Sequence, residues 1–598
     1  MIGAGWFPDF NRTLGPRHRR KPDLFNNVGA CVAALWPIFV AKEYTMRPLT
    51  SFIVIITAFF STYSWAQTVP QEQWITTGTV KARIRSKGAL VSEFRIPDAT
   101  GDSSVLAIQD LLLWIGGVDP AKNLVLTLQN GNSSLNDFTG GFKGVLGSAG
   151  VWKVTKAQIK AHLADLADNG VIDNPIPAIF SWPAKGNPFS LQYNGFAVDT
   201  VSYTVPFTVY PTDNPYRPDL GDYPEMFNYY NNDKQPDEMV YVPFYEKSFH
   251  NPGFAFQGYA LFYTFYCDET PFLDNAVFGY VKLHMGAQLR RDSAIASFVV
   301  NGDVGNPLDD YMGVQQDNNV VYFYNKNSHD AVLGDNPPIV AFKLNYGIQD
   351  TFGLPTLVNT VIRFDTASGI PQGMRQPVTP GEYYNYITGT WRDGFPLTVG
   401  GTGYNPGYPN TPHADIIYPG DPGNSSEWSE IGAANQPGDR RAVVSHKPVT
   451  MLPGWDYTMS FTLERIPGGA SLVNQLQTLN DYSFTQGQFF FGDYFPQGSN
   501  PFDTISCFTT TATRIQPDAI PLQIFPNPAT GYFQVDFQGE TIHNPELHDL
   551  TGRRVSFTSQ ATAEGLLIRT DLLPAGVYWF SAVNAAGRRL EVRVVLLP

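Results

Sequence analysis

Two nine-residue stretches far apart in the chain set the terms on which it can fold. In 201-VSYTVPFTV-209, Val201, Tyr203, Val205, Phe207 and Val209 fall on alternate positions. In 455-WDYTMSFTL-463, Trp455, Tyr457, Met459, Phe461 and Leu463 alternate with Asp456, Thr458, Ser460 and Thr462, and Glu464 continues the polar set. A period of two puts each apolar set on one face of a strand, so both stretches read as half-buried sheet strands. The composition extends this reading to the whole chain. Beside 54 Gly and 47 Pro stand 42 Phe, 30 Tyr and 11 Trp, strand-favouring aromatics mixed with turn-makers, which suits sandwiches better than helical bundles. A length of 598 residues leaves room for more than one folded unit and a sizeable core.

Helices are the exception. Thr155 and Gln158 make a capping-box pair ahead of Ile159, Leu163 and Leu166, and Gly170 stands where the helix should stop. A second short helix is expected through Leu472, Leu476 and Leu479. No internal repeat is visible, which argues against a propeller or solenoid.

The segment 46-MRPLTSFIVIITAFFSTYSWAQ-67 has Arg47 beside a Met, an apolar run from Phe52 to Phe60, and small residues Ser64 and Ala66 flanking Trp65. That is the layout of a secretory signal peptide at 46–66 cleaved after Ala66, and the run is well short of the ~20 residues that span a bilayer. Residues 1–45 then read as an upstream extension outside the mature protein, with translation starting at Met46. Of 40 basic and 54 acidic residues, seven and three lie within 1–66, which leaves 33 against 51 in the remainder. Such an acidic chain is no partner for nucleic acid, since phosphate binding needs clustered Lys and Arg. Past the leader only Cys267 and Cys507 remain: one intrachain disulfide, or two buried thiols.

From about Ile515 the chain reads as short strands between turns. Phe533, Val535 and Phe537 alternate, and LLIRT, VYWFSAV and LEVRVVLLP follow, a pattern that fits a small immunoglobulin-like sandwich of about seven strands. Three blocks here, Pro526-Asn527-Pro528, Asp549 to Arg553 ending in Gly552-Arg553, and Leu573 to Tyr578 with Gly576-Val577-Tyr578, resemble in order and spacing the type A C-terminal sorting domain of the type IX secretion system of Bacteroidetes. The resemblance implies that residues 515–598 are an address read by that machinery. It also implies export through the periplasm and outer membrane, with the product released or attached to surface lipopolysaccharide.

Within the cargo region, residues 67–514, four segments resemble, in order, segments of a group of type IX cargo proteins that has no established activity. They are PFTVYPTDNPYRPDLGDYPEM, NGDVGNPLDDYMGVQQDNNVVYFYNKN, YYNYITGTWRDGFPLTVGGTGYN and WSEIGAANQPGDRRAVVSHKPVTMLPG. That group tends to carry an Asp-x-Asn-x-Asp-Gly run before GDYP, a spacing suited to calcium. Here the run is broken at Val209 to Pro215, leaving Asp219, Asp222 and Glu225 as oxygen donors. A second acidic loop, DVGNPLDD, offers Asp303, Asn306, Asp309 and Asp310 as metal ligands, with calcium the cation such a loop would take; the competing reading is a plain turn. LADNGVID does not complete an EF-hand, because Ile176 stands where a bidentate Glu is needed if Gly170 is the sixth position.

Catalytic signatures are missing: there is no HExxH, GxSxG, GxxxxGK[ST] or paired CxxC. A thiol dyad of Cys267 with His250 or His284 competes with a buried structural Cys. Asp309/Asp310, Glu427/Glu430 and Asp393 are the carboxylates from which a glycosidase pair would be drawn. Gly438-Asp439-Arg440-Arg441 reads as an ion pair pinning a loop to a sheet. Trp391, Trp428, Trp455, Tyr383, Tyr384 and Tyr386 read either as core or as an exposed platform for sugar rings.

The expectation is a mainly β, multidomain chain: a sandwich-like cargo of one or two units with a few short helices, followed by an immunoglobulin-like sorting sandwich. Its expected role is a non-enzymatic secreted or surface protein that binds glycan, matrix or other surface proteins in adhesion. The alternative is a secreted polysaccharide hydrolase. Calcium is the one cofactor the residues suggest, through the acidic loops.

Overall fold

The computed structural model describes residues 69–491 and 522–596, apart from 99, 102–104, 131–136, 199–215, 225–234, 247–252, 268–269, 287–289, 351–353, 367–368, 409, 538–540, 550–553, 563–564, 571–572, 574–575 and 585–588. The signal-peptide segment, the strand expected at 201–209, His250, Glu225, Cys507, Gly552 and Arg553 lie outside the described residues.

Two antiparallel sheets carry the cargo. The first runs Glu72–Ile75, Lys81–Arg85, Glu93–Ile96, Val105–Val118, Arg291–Gly302, Arg440–His446, Val358–Phe364, with Leu124–Leu128 and Val449–Met451 joined at its side. The second runs Asp310–Gln315, Val320–Asn325, Ile339–Gln349, Asp456–Ile466, Ala276–His284, Gln257–Thr264, Glu238–Glu246, Phe138–Gly140, joined by Trp152–Thr155 and Pro355–Thr356. One continuous hydrophobic cluster fills the space between them. Phe298 of the first sheet meets Phe461 and Phe342 of the second at ring-centre distances of 5.1 and 5.2 Å, contacts that also gain from edge and offset ring geometry. A Cβ on Gly279 would stand 2.1 Å from the Phe461 ring, so this core ring is accommodated where its neighbour has no side chain. Mainly β and sandwich-like is therefore what the chain adopts.

The strand Asp456–Ile466 shows both how far the alternation reaches and where it stops. Tyr457, Met459, Phe461 and Leu463 are buried as expected, but Trp455 is 50 % exposed. It precedes the strand, in a turn where its carbonyl accepts from Met285 N at 3.0 Å. Towards the end of the strand the polar face is buried as well, with Ser460, Thr462 and Glu464 covered while Asp456 stays exposed. The helix Leu472–Phe491 packs against this strand and its neighbour. Lys343 Nζ donates to Ser483 O, and Gln486 Nε2 donates to Glu464 Oε2. Polar side chains reaching across the interface satisfy groups that would otherwise be buried unpaired.

The helix Lys156–Asn169 begins as the sequence requires. Thr155 Oγ1 accepts from Gln158 N at 3.2 Å, Gln158 Oε1 accepts from Thr155 N at 2.9 Å, and Gly170 closes the helix with φ +82°. Replacing Thr155 with Ala should cost about 1 kcal/mol, read as a lowered urea midpoint; an unchanged midpoint would mean the cap contributes nothing.

The terminal unit holds seven strands. One ladder joins Ile542–Asp549, Gly576–Asn584 and Arg589–Leu596. The other joins Tyr532–Asp536, Gly565–Arg569 and Thr558–Ala561. Gln523–Thr530 belongs to both: Gln523 to Phe525 pair with Gln534 to Asp536, whereas Ala529 pairs in parallel with Leu596. Between these pairings sit Pro526-Asn527-Pro528. Proline has no N–H for a ladder, so this is where the strand can leave one layer for the other. Phe533, Val535, Leu547, Ile568, Phe580 and Val594 fill the core from both layers.

Candidate functional site

Val358–Phe364 and Arg440–His446 are paired neighbours, yet the chain leaves the sheet after the first and returns to it only at the second. The excursion between them contains a single α-helix of two turns, Pro380–Ile387, among the described residues. A connection of this length with so little regular structure is uncommon unless it is functional. It is held by side chains. Tyr383, Tyr386, Ile387, Trp391, Leu397 and Tyr418 join the main core, and Trp114 of the sheet meets Tyr383 edge-on at 4.8 Å and stacks on Phe364 at 5.9 Å.

A buried charge network locks its return. Arg440 grips Glu430 in a fork, Nε to Oε1 and Nη2 to Oε2, each at 2.9 Å, and Glu430 Oε1 also accepts from Met312 N at 3.1 Å. Arg363 pairs with Asp365, and its Nε donates to Tyr418 Oη at 3.3 Å; Asp365 lies 3.7 Å from Arg440. Arg440 is 4 % exposed and Glu430 not at all. The Gly438-Asp439-Arg440-Arg441 motif therefore does pin a loop to a sheet. The fork's partner, however, is Glu430 ten residues upstream, while Asp439 takes Arg441 at 2.8 Å.

In this excursion Tyr384, Phe395, Tyr404 and Trp428 are half-buried and pack against the main core, the last three around one glycine turn. Tyr404 meets Trp391 at 5.6 Å and Phe395 at 6.1 Å, both edge-on. Gly403 stands between the two indoles, with φ +80°, and a Cβ there would lie 2.7 Å from Leu397 Cδ1 and 3.4 to 3.5 Å from Trp391 and Trp428. Both indoles donate into this turn, Trp391 Nε1 to Gly403 O at 2.9 Å and Trp428 Nε1 to Gly401 O at 3.1 Å. Tyr404 Oη donates to Asp393 Oδ2 at 2.6 Å. The bond to that carboxylate, with burial, pushes the phenol up to about 12, so Tyr404 remains a donor at neutral pH. Tyr408, 72 % exposed, projects from the next turn.

The residues singled out from sequence scatter. Tyr383, Tyr386 and Trp391 are core, and Tyr384 packs against it; Trp455 lies outside the excursion. Glu427 is exposed and accepts from Asp421 N and Asn424 Nδ2, whereas Glu430 is sealed in the Arg440 fork. Those two cannot share a substrate. Asp393 serves Tyr404 and Phe395 N. Asp219 holds Arg217 Nε at 2.8 Å, and Asp222 takes Arg217 N at 2.7 Å. Cys267 is disulfide-bonded and cannot serve as a thiolate in a dyad, and His284 pairs with Asp456 at 2.7 Å. The other two cysteines of the chain, Cys31 and Cys507, lie outside the described residues. Phe395, Tyr404 and Tyr408 escaped sequence reasoning because nothing in the local pattern separates a ring that stays at the surface from one that fills the core. One cavity, between the sheets and lined by Leu90, Phe138, Val242 and Phe262 among others, has room of about 20 Å³, enough for one water.

Asp303, Asn306, Asp309 and Asp310 lie in the turn that carries the chain from the first sheet to the second. Asn306 Oδ1 accepts from Leu308 N at 3.3 Å, and Asp310 Oδ2 from Val304 N at 2.9 Å. In the terminal unit, Gly576 pairs with Leu596, which also pairs with Ala529 beside the Pro526-Asn527-Pro528 block, and Tyr578 pairs with Asp549. Blocks about fifty residues apart in sequence thus converge on neighbouring strands.

Two large antiparallel sheets with an aromatic-bearing excursion, and a seven-stranded sheet over residues 523–596, define a mainly β chain. Residues 523–595 match the family of secretion system C-terminal sorting domains, and the chain is a cargo of the type IX secretion system. Such a tail directs its chain to the cell surface or the extracellular space. No match is found among curated proteins. A solved structure titled polysaccharide lyase shares 7 % identity over 88 % of this chain and 47 % of its own, with a TM-score of 0.25; the chain thus spans about half of that protein, and so slight a likeness assigns no activity.

Proposed function

We propose that the cargo is a glycan-binding protein of the outer surface or the secreted fraction, working by adhesion without bond cleavage. The reading is carried by the excursion: a long, side-chain-locked segment holds Phe395, Tyr404 and Trp428 partly exposed around a glycine turn, beside the Asp393 carboxylate. Sugar rings present C–H faces to aromatic rings and hydroxyls to carboxylates and amides, and a rigid presentation spares the entropy of ordering a loop on binding. Destination supports it too, since a surface-directed chain meets glycan and matrix first. The proposed export route passes the inner membrane as a signal-peptide precursor and ends on the outer membrane or in the medium.

The test incubates the exported chain with a panel of soluble and insoluble polysaccharides, measuring retained protein and new reducing ends together. Retention without new ends is expected. Tyr404→Ala and Trp428→Ala should each weaken retention about tenfold, the loss typical of a central aromatic contact, while Trp455→Ala leaves it unchanged. New reducing ends, or retention indifferent to both aromatic substitutions, would overturn the proposal.

A further inference from the structure

We propose that the turn Asp303 to Asp310 holds a hard divalent cation of the calcium type on the Asp310 and Asp303 carboxylates. The turn is crowded with acids and short of bases. Asp330, from the facing hairpin, is fully used: it accepts from Asn306 N, Val332 N and Leu333 N. Asp310 is completely buried, one oxygen accepts from Val304 N, and its Oδ1 has no partner. Asp303 Oδ1 and Asp309 Oδ1 are likewise buried and unpartnered. The charges that act on Asp310 are those of Asp303, Asp309 and Asp330, all negative.

The bases nearby are committed or peripheral. Lys326 reaches only Asp309, at 3.9 Å from a half-exposed position; Arg441 is held by Asp439, and Arg440 by Glu430. A buried carboxylate without a partner does not persist as a bare anion; it takes a proton or a cation. Burial and the surrounding acids push Asp310 up to about 9 and Asp303 up to about 6, which measures how strongly the turn lacks positive charge.

Among the described residues no three His, Cys, Asp or Glu side chains stand at metal-binding spacing. The site would then rest on the Asp310 and Asp303 carboxylates alone, with backbone carbonyls and water supplying the rest of the six to eight oxygens that calcium takes. A site of so few charges belongs with weak extracellular calcium modules, with Kd on the order of 0.1–1 mM, and suits a chain addressed to the outside of the cell.

The experiment titrates the full exported chain with calcium chloride up to 10 mM by calorimetry. One equivalent bound in that affinity range is expected, lost in Asp310→Asn and weakened at least tenfold in Asp303→Asn. Absence of uptake in the wild type, or uptake unchanged by either substitution, would overturn the assignment and leave the turn to protons. Should Asp310→Asn fail to fold, the wild-type titration and Asp303→Asn still decide.

Discussion

Arg440→Ala should lower stability by about 3–5 kcal/mol, the largest loss expected for any single substitution in the excursion. The reason lies less in the bonds removed than in what is left behind. Glu430 is fully buried and would keep only the Met312 N–H, and an uncompensated buried charge is far costlier than the net worth of the pair. Asp365, 3.7 Å from Arg440, would lose a second counter-charge. A urea midpoint gives the size. Limited proteolysis gives the place, because fragments should begin within 365–439 while the sheets stay protected. Replacing Glu430 and Arg440 together by Leu should lose less than Arg440→Ala alone, though Met312 N would still lack its acceptor. A midpoint for Arg440→Ala within error of wild type would show that the fork does not hold the excursion.

Acid should destabilise the cargo through His446. This ring is fully buried, with Nε2 accepting from Ala296 N at 2.9 Å and Nδ1 facing Lys447 O at 2.6 Å. Those partners require a proton on Nδ1 and none on Nε2; a second proton would face the Ala296 N–H head-on. Burial lowers the group from 6.5 to about 4. Between those values the unfolded chain binds a proton that the folded chain refuses, so stability is complete above pH 6.5 and is lost as pH falls towards 4. At about 1.4 kcal/mol per pH unit the total is roughly 3 kcal/mol. Urea midpoints at pH 7 and 4.5 should therefore diverge in the wild type and converge in His446→Gln, whose amide can still accept from Ala296 N. Equal pH slopes in the two proteins would exclude His446 as the source.

Local chemistry carried the sequence reading a long way. The capping box at Thr155 and Gln158, the glycine stop at 170, the alternation of Tyr457 to Leu463 and the strand-and-turn rhythm of the terminal unit are each set by residues within one turn or one strand. The three tail blocks were legible because a receptor-read address is a fixed string. The reading erred where the answer depended on residues far away. Trp455 follows the alternation yet lies outside the strand, because the turn that holds it is fastened to Met285. The polar face of the same strand looked solvent-facing, and a helix that begins six residues after the strand ends covers its Glu464 end.

The sequence by itself determined the class of fold, the start and stop of the helix Lys156–Asn169, and the address in the tail, since period, capping and motif are short-range properties. Only the tertiary structure decided which of many aromatics and acids have a surface to themselves. Trp391 and Tyr386 went inside while Tyr404 and Phe395 stayed at the boundary. Glu430 was spent on Arg440, and the Asp310 carboxylate was buried with one oxygen unpartnered. Burial, ion pairing and unmet charge belong to neighbours brought together across the sheets, and no window of the chain contains them.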